Sequence, residues 1–315
     1  MKTPRRFLAF LSLAMFALGV PNDTTFEWPD ASRYWRMLIN VRQEIGNYVK
    51  IHPQYFTQDK VVTDLAILDV PPGGEEKAAK DYKRIRKELE SRGIAVGTYV
   101  SGTTVLPESE QSHYPQSTVS IEQMPANTSY VGSWPGWPTR KIVNIADADS
   151  RHALQANIKQ LWEKTPAPIR YIDNIPAHPK VAKASPWGVS CQHMQELREM
   201  AESTGSRVMF NIPLHVGEMS DRETQQFIQA VGQNGISLEM PWHPSIRQSR
   251  EATLRAQKRY RELLDSGMAI VLIPGKSVPE DQLVAWVRSW RKPTDRLYIS
   301  VPFFRQPDPS ITMIQ

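Results

Sequence analysis

The 315-residue chain holds a single cysteine, Cys191, which excludes an internal disulfide framework and any cysteine-built zinc site. Glycine is sparse at 16 residues, and no Gly-rich phosphate loop follows an early strand-like run, as an open dinucleotide-binding sheet would require. The apolar run Phe7–Val20 covers 14 residues, short of the roughly 20 that cross a bilayer. There is no His-Glu-x-x-His, no His-x-His on an early strand and no Gly-x-Ser-x-Gly elbow. Long polar tracts, low-complexity segments and internal repeats are also missing, so wholesale disorder is excluded.

Lys2, Arg5 and Arg6 precede that apolar run, and the small residues Ala17 and Gly19 stand near its end. This reads as a signal peptide over residues 1–20, with no cysteine behind it to carry a lipid. The expectation is export across a bacterial inner membrane to a secreted or periplasmic location, with an uncleaved anchor as the alternative. Without those three charges, 35 of the 38 basic residues remain against 33 acidic ones. The pI of 9.2 therefore carries no argument for a nucleic-acid partner.

Forty per cent of the chain is apolar, ample for a large core. From residue 46 onward short β-rich runs alternate with helical patterns, the signature of parallel β/α units. The expected strands are 47–52, 65–70, 95–101, 169–175, 207–213, 236–240, 269–274 and 297–302. Helices are expected at 75–92, 149–164 and 249–265, and capping boxes open two more at Ser220–Glu223 and Ser277–Glu280. Eight such strands predict an α/β chain built as a single (β/α)8 TIM barrel over residues 46–305. An open doubly wound sheet is the alternative. A helical lead-in is expected over residues 21–45 and a tail over 306–315. No helix separates Ser101 from Lys141, so the interval, rich in Ser, Pro and Trp, reads as a long loop excursion after the third strand. If Lys141–Asp147 were a barrel strand, 47–52 would not be; the first count is preferred.

A TIM barrel keeps its active site at the C-terminal ends of its strands, and four acids end strands here: Asp69, Asp147, Asp173 and Glu239. Asp173 in Arg-Tyr-Ile-Asp-Asn-Ile and Glu239 in Ile-Ser-Leu-Glu-Met-Pro-Trp interrupt apolar strands, where an unpaired carboxylate is costly. Two acids facing one bond suit glycoside hydrolysis, one donating a proton and the other attacking or activating water. Their competing reading is structural, as helix caps or partners of Arg170 or Arg247. Asp147 precedes a helix and reads as its cap. Asp69 is a candidate ligand for a sugar hydroxyl. Asn211 ends the fifth strand, placed to bind substrate, to orient Glu239 or to satisfy the core.

Aromatic faces suit the apolar faces of sugar rings, and Tyr99, Trp134, Trp137, Trp187 and Trp242 stand where a barrel mouth is expected. Trp162, Trp286 and Trp290 fall at helical spacing and read as core. His215 and His243 are candidate polar contacts to substrate. With His178 and Asp173 they also make a metal-dependent hydrolase or deacetylase a rival reading, although their spacing is nonspecific. Arg247, Arg250, Arg255, Lys258, Arg259 and Arg261 are interleaved with Glu251 and Glu262 and read as a solvated face.

The segment Lys141-Ile-Val-Asn-Ile-Ala-Asp-Ala-Asp-Ser-Arg, then a helix, then Ile-Arg-Tyr-Ile-Asp-Asn-Ile, resembles (β/α)8 glycoside hydrolases related to the endo-α-1,4-polygalactosaminidases. The resemblance covers residues 60–305 in layout. It implies Asp173 as a catalytic acid, Glu239 as its partner, and a polysaccharide substrate that includes amino sugars. The chain departs from that pattern at Asn144, where the family often has Asp, and at Ile169-Arg170, where Asp-Gly is usual. The combined expectation is an exported, monomeric glycosidase with no metal or other cofactor and no stable membrane anchor. A barrel that binds carbohydrate without cleaving it is the alternative.

Overall fold

The computed structural model describes residues 26–28, 36–37, 65–69, 86–87, 90–91, 95–111, 118–134, 136–175, 186–212, 216–239, 247, 249–273 and 280–300. Its frame is an eight-stranded, all-parallel sheet. The members are β1 (Arg36–Met37), β2 (Leu65–Asp69), β3 (Ala95–Ser101), β8 (Ile169–Asp173), β9 (Arg207–Ile212), β10 (Gly235–Leu238), β11 (Ala269–Leu272) and β12 (Leu297–Ser300). Their order is β1-β12-β11-β10-β9-β8-β3-β2. Neighbours follow the chain in sequence, as in a (β/α)8 barrel. β1 and β2 stand at the two ends, and no ladder between them is recorded among the described residues.

Two sequence expectations change here. Residues 36–37 form a strand paired in parallel with Ile299 and Ser300, not part of a helical lead-in. The run Tyr34-Trp-Arg-Met-Leu-Ile39 is rich in residues that fit a pleated surface, and its partner lies at the far end of the chain, which local patterning does not reveal. The expected strand 47–52 lies outside the described residues. The excursion after β3 is not a plain loop. It folds into a second, four-stranded sheet of β4 (Thr104–Leu106), β5 (Val119–Ser120), β6 (Tyr130–Trp134) and β7 (Trp137–Val143), in the order β5-β4-β7-β6. The strand-like run from Lys141 thus belongs to this sheet and not to the main one.

The helices follow the strands: α1 (Ala148–Lys164) after β7, α2 (Trp187–Glu202) after β8, α3 (Asp221–Val231) after β9, α4 (Arg250–Asp265) after β10 and α5 (Glu280–Arg288) after β11. Their ends are set by local chemistry. Asp147 caps α1 by accepting from the Ser150 N–H, with Asp149 in the first turn and Lys164 in the last, complementing the helix dipole. Ser220 and Glu223 close a capping box on α3. Ser249 caps α4, and Gly267 beyond its end takes φ +88°, a conformation side chains resist. On α4, Arg255 pairs with Glu251 and Lys258 with Glu262 on an exposed face, as expected, whereas Arg259 and Arg261 are largely shielded and pair with Asp221 and Glu262 and with Asp265 and Asp295.

Period-2 alternation splits the main sheet into two faces. Ile172, Val208, Phe210, Ile212, Ile236, Leu238, Ile270, Leu272 and Ile299 pack against the helices with Leu154, Ile158, Leu197, Phe227, Leu263 and Trp286. The helix-free face gathers Phe26, Tyr99, Ile169, Tyr171, Met209, Ala269, Val271 and Tyr298, with Trp28 against them. Phe26 and Trp28 meet edge to face at 5.0 Å. The Trp28 ring lies so near Gly235 that a Cβ there would come within 2.3 Å of it. Of the expected core tryptophans, Trp162 and Trp286 are buried, and Trp290 packs on Trp286 with ring centroids 5.3 Å apart.

Candidate active site

The strand register places the acids. β8 presents Ile169, Tyr171 and Asp173 on its helix-free face, and β10 presents Gly235 and Ser237 with Glu239 just past its end. Between them β9 presents Met209 and Asn211, with Met209 opposite Tyr171 and Asn211 opposite Ser237. From Ile169, Met209 and Gly235 onward, these faces therefore pass from small or apolar residues to polar ones at the C-terminal ends, although β9 itself opens on Arg207.

Asn211 joins the two carboxylates. Its single Nδ2 donates to Asp173 Oδ1 at 2.8 Å and to Glu239 Oε1 at 2.7 Å. Turned over, the amide would set its oxygen against both carboxylates, so Nδ2 faces the acids and Oδ1 accepts from Ser237 Oγ at 2.9 Å. Ser237 has one hydrogen to give, so the Tyr171 hydroxyl, 3.0 Å from Ser237 Oγ, donates to it. Burial, with Asp173 and Glu239 nearby, pushes the Tyr171 hydroxyl far above its ordinary range, so it stays a donor.

Asp173 accepts two further bonds. The Tyr99 hydroxyl donates to Oδ2 at 2.5 Å, and the Asn174 backbone N–H donates to Oδ1 at 2.7 Å. Oδ1 thus takes two donors and Oδ2 one. A carboxylate has about four acceptor positions, so among the described residues the one left open is on Oδ2. Glu239 is in a different situation. Its residue surface is exposed to a water-sized visitor, yet enough protein surrounds the carboxyl to disfavour its charge. Burial first, then the Asp173 charge, raise its pKa, and the Asn211 hydrogen bond only partly opposes them.

The C-terminal end of β3 braces this arrangement. Gly102 N–H donates to the Asp173 carbonyl at 2.8 Å, and Gly102 packs so tightly that a Cβ would sit 2.3 Å from Ile175 Cδ1. The Gly102 carbonyl lies 2.8 Å from Nε2 of His193, on α2. Burial lowers the His193 pKa to about 4, so the ring is neutral; Nε2–H donates to Gly102 and Nδ1 accepts from Gln155.

The other expected site residues are distributed as follows. Asp69 ends β2 in register with Tyr99. Tyr99 itself is buried, and its hydroxyl is taken up by Asp173. Trp134 and Trp137 pair across β6 and β7 and both cover the Arg140 guanidinium, at 5.0 and 5.3 Å; Trp137 is 36% exposed. Trp187 is held between α2 and α3, tilted on Phe227 at 5.8 Å with Nε1 donating to the Glu223 carbonyl, so its ring serves helix packing instead of lining a mouth. His215, Trp242 and His243 lie outside the described residues, as does His178. Among the described residues no group of three or more His, Cys, Asp and Glu side chains converges as a metal site would require. Asp147 caps α1, and the Ser150 hydrogen bonds lower its pKa. Cys191 is buried, which pushes its thiol up to about 12. Ser237, Tyr171 and Asn174 were not singled out as site residues from sequence. Ser237 and Tyr171 carried a usable signal, since each shares a strand face with an acid.

No protein-family profile matches the chain, and no curated protein matches it. Solved structures do. A glycoside hydrolase family 20 β-N-acetylglucosaminidase aligns with TM-score 0.50 and 11% identity, over 87% of this chain and 64% of its own. The cycloalternan-degrading enzyme from Trueperella pyogenes aligns with TM-score 0.51 and 11% identity, over 90% of this chain and 45% of its own. Aspergillus fumigatus Ega3 in complex with galactosamine, at 0.49 and 11% identity over 89% of this chain and 94% of its own, falls too low to bear on the fold. The chain spans less than two thirds of the length of the first two proteins. At this identity the likeness establishes the architecture alone: an α/β fold of the kind found in TIM-barrel glycoside hydrolases.

Proposed function

We propose that the chain is a glycoside hydrolase that cleaves a polysaccharide or oligosaccharide with Glu239 and Asp173. The observation that carries this reading is the Asn211 amide bridging both carboxylates at the C-terminal end of the sheet. Glu239 is the proton donor. Its raised pKa keeps a larger share of it protonated near neutrality, the form that can protonate a leaving glycosidic oxygen. Asp173 is the nucleophile, attacking the anomeric carbon through the open position on Oδ2 while Tyr99, Asn211 and Asn174 hold the carboxylate in place.

The same bridge supports a stereochemical outcome. One nitrogen making two charge-assisted bonds of about 2.7–2.9 Å holds their acceptor oxygens close. Retaining glycosidases keep their carboxyl groups about 5–5.5 Å apart, and inverting ones about 6.5–9.5 Å. The reaction is therefore double displacement: the Asp173 ester forms as Glu239 protonates the departing oxygen, and Glu239 then deprotonates the water that hydrolyses the ester. Among the described residues Trp137 is the exposed indole, and stacking on a sugar ring is the role proposed for it.

The sugar is proposed from the resemblance of the segment 141–151 and of Ile169–Ile175 to the polygalactosaminidase-related families, which puts amino-sugar polymers first. Export rests on Lys2, Arg5, Arg6 and the apolar run behind them. The test is the purified chain on a panel of microbial exopolysaccharides, read as new reducing ends, with Asp173→Asn and Glu239→Gln beside it and with chelator added. Cleavage that resists chelator and is lost in either variant supports the reading. Full activity in a folded Glu239→Gln protein overturns it.

A further inference from the structure

Asn174 is the one non-glycine residue with positive φ among the described residues, at 65°. Asn tolerates the left-handed region better than most residues, but such a conformation persists only where the surroundings impose it. Here they do so at three points. The Thr103 hydroxyl donates to the Asn174 carbonyl at 2.7 Å, the Asn174 Nδ2 donates to Ser101 Oγ at 3.0 Å, and the backbone N–H meets Asp173 Oδ1. That last bond ties the Asp173 carboxylate to the peptide N–H of the residue whose backbone and side chain these contacts fix. It is one of the two donors that fill Oδ1 and leave the open acceptor position on Oδ2.

The side-chain contact continues into the second sheet. Ser101 Oγ lies 2.5 Å from Thr104 Oγ1, and Thr104 Oγ1 accepts from Arg140 Nε at 2.9 Å. Ser101, Thr104, Arg140 and Asn174 are all at least 95% buried. Arg140 makes no ion pair among the described residues, and its Nη2 is buried without a hydrogen-bond partner. Trp134 and Trp137 cover its guanidinium and hold the cation in the inserted sheet. Its Nε stands at the far end of an unbroken chain of hydrogen bonds to the residue after Asp173.

We propose that Asn174 is a positioning residue for Asp173, and that the sheet inserted after β3 fixes it through the buried chain Ser101–Thr104–Arg140. The proposal rests on the glycosidase reading above, with Asp173 as nucleophile. The inserted sheet thereby bears on which Asp173 oxygen is left open, through the residue whose N–H fills Oδ1.

The test compares kcat and KM of the full chain and its variants on the glycan that the wild type cleaves, with thermal midpoints recorded alongside. Misplacing a reacting group costs rate, so Asn174→Ala should lower kcat by about 10-fold or more with KM within about 2-fold. Asn174→Gly accepts the left-handed backbone without strain, which guards against a fold defect, but it loses the Ser101 contact and should also lose kcat. Thr104→Val cuts the chain remotely from the carboxylates and should lower kcat by about 3-fold, with Thr104→Ser restoring it. A merely structural role would lower the midpoint and leave kcat per folded molecule unchanged. The proposal is overturned if Asn174→Ala and Asn174→Gly both fold and keep wild-type kcat while Asp173→Asn is inactive. If the wild type cleaves no glycan, the glycosidase reading falls first, and the proposal falls with it.

Discussion

The two ends of the main sheet are built from the same strands and do opposite things. At the N-terminal end, Ile169, Met209 and Gly235 meet Phe26, Trp28 and Tyr298 in an apolar floor with little to titrate. At the C-terminal end, two to four residues further along the same strands, Asp173, Asn211 and Glu239 form a polar cluster whose members hold one another. Tyr171, level with Met209 and Gly235, joins the two: its ring belongs to the floor, and its hydroxyl reaches Ser237, which is level with Asn211 and donates to it. The floor supplies stability through burial. The mouth gives some of it up by keeping two carboxylates close together.

That contrast can be broken first at the mouth. Asp173→Asn and Glu239→Gln should each lower glycan cleavage by about 10³-fold, within the range that proton transfer and nucleophilic attack contribute, with the far-ultraviolet circular dichroism unchanged. Substitution at the floor should do the reverse. Met209→Ala should cost about 2–5 kcal/mol in denaturant unfolding while KM and the shape of the pH–rate curve stay as in the wild type.

A smaller effect sharpens the same comparison. Glu239 holds its proton more tightly folded than unfolded. Between its unfolded pKa and its raised folded pKa the native state binds more protons, so its contribution to stability falls as pH rises through that window. Glu239→Gln should therefore melt slightly higher than the wild type at pH 7, with the gap closing as the pH falls toward 4. A variant that melts lower at pH 7 would contradict the assigned strain. Smallest of all, Ser220→Ala removes the α3 cap outside both ends and should cost about 1 kcal/mol with no change in activity.

How far the chain could be read without its structure depends on the range of the interaction involved. Asp173 and Glu239 stood out because acids interrupt apolar, period-2 runs, and that pattern is local. Asn211 was visible as a polar strand end, but its contact with both acids depends on the β8–β9–β10 register. The capping box at Ser220 and the caps at Asp147 and Ser249 were readable for the same local reason. Arg36–Met37 was not, since its strand character is fixed by Ile299 and Ser300, more than 250 residues away in sequence. Of the second sheet only the run from Lys141 in β7 read as strand-like; its other strands are two to five residues long, with register shifts between β6 and β7. Trp187 shows the limit of arguing from position alone. It follows a barrel strand, yet its ring faces the helix layer because Phe227 on α3 receives it.

The central claim is that one amide-bridged carboxylate pair cleaves a glycosidic bond with retention, and proton NMR of the reaction as it runs tests it directly. Amino-sugar polymers and other exopolysaccharides would be incubated with the wild-type chain and with the Asp173→Asn/Glu239→Gln double variant. The account predicts a new reducing-end anomeric signal that first appears in the configuration of the cleaved linkage, before mutarotation, and only with the wild type. Cleavage by the double variant, or first product of the opposite configuration, would contradict it.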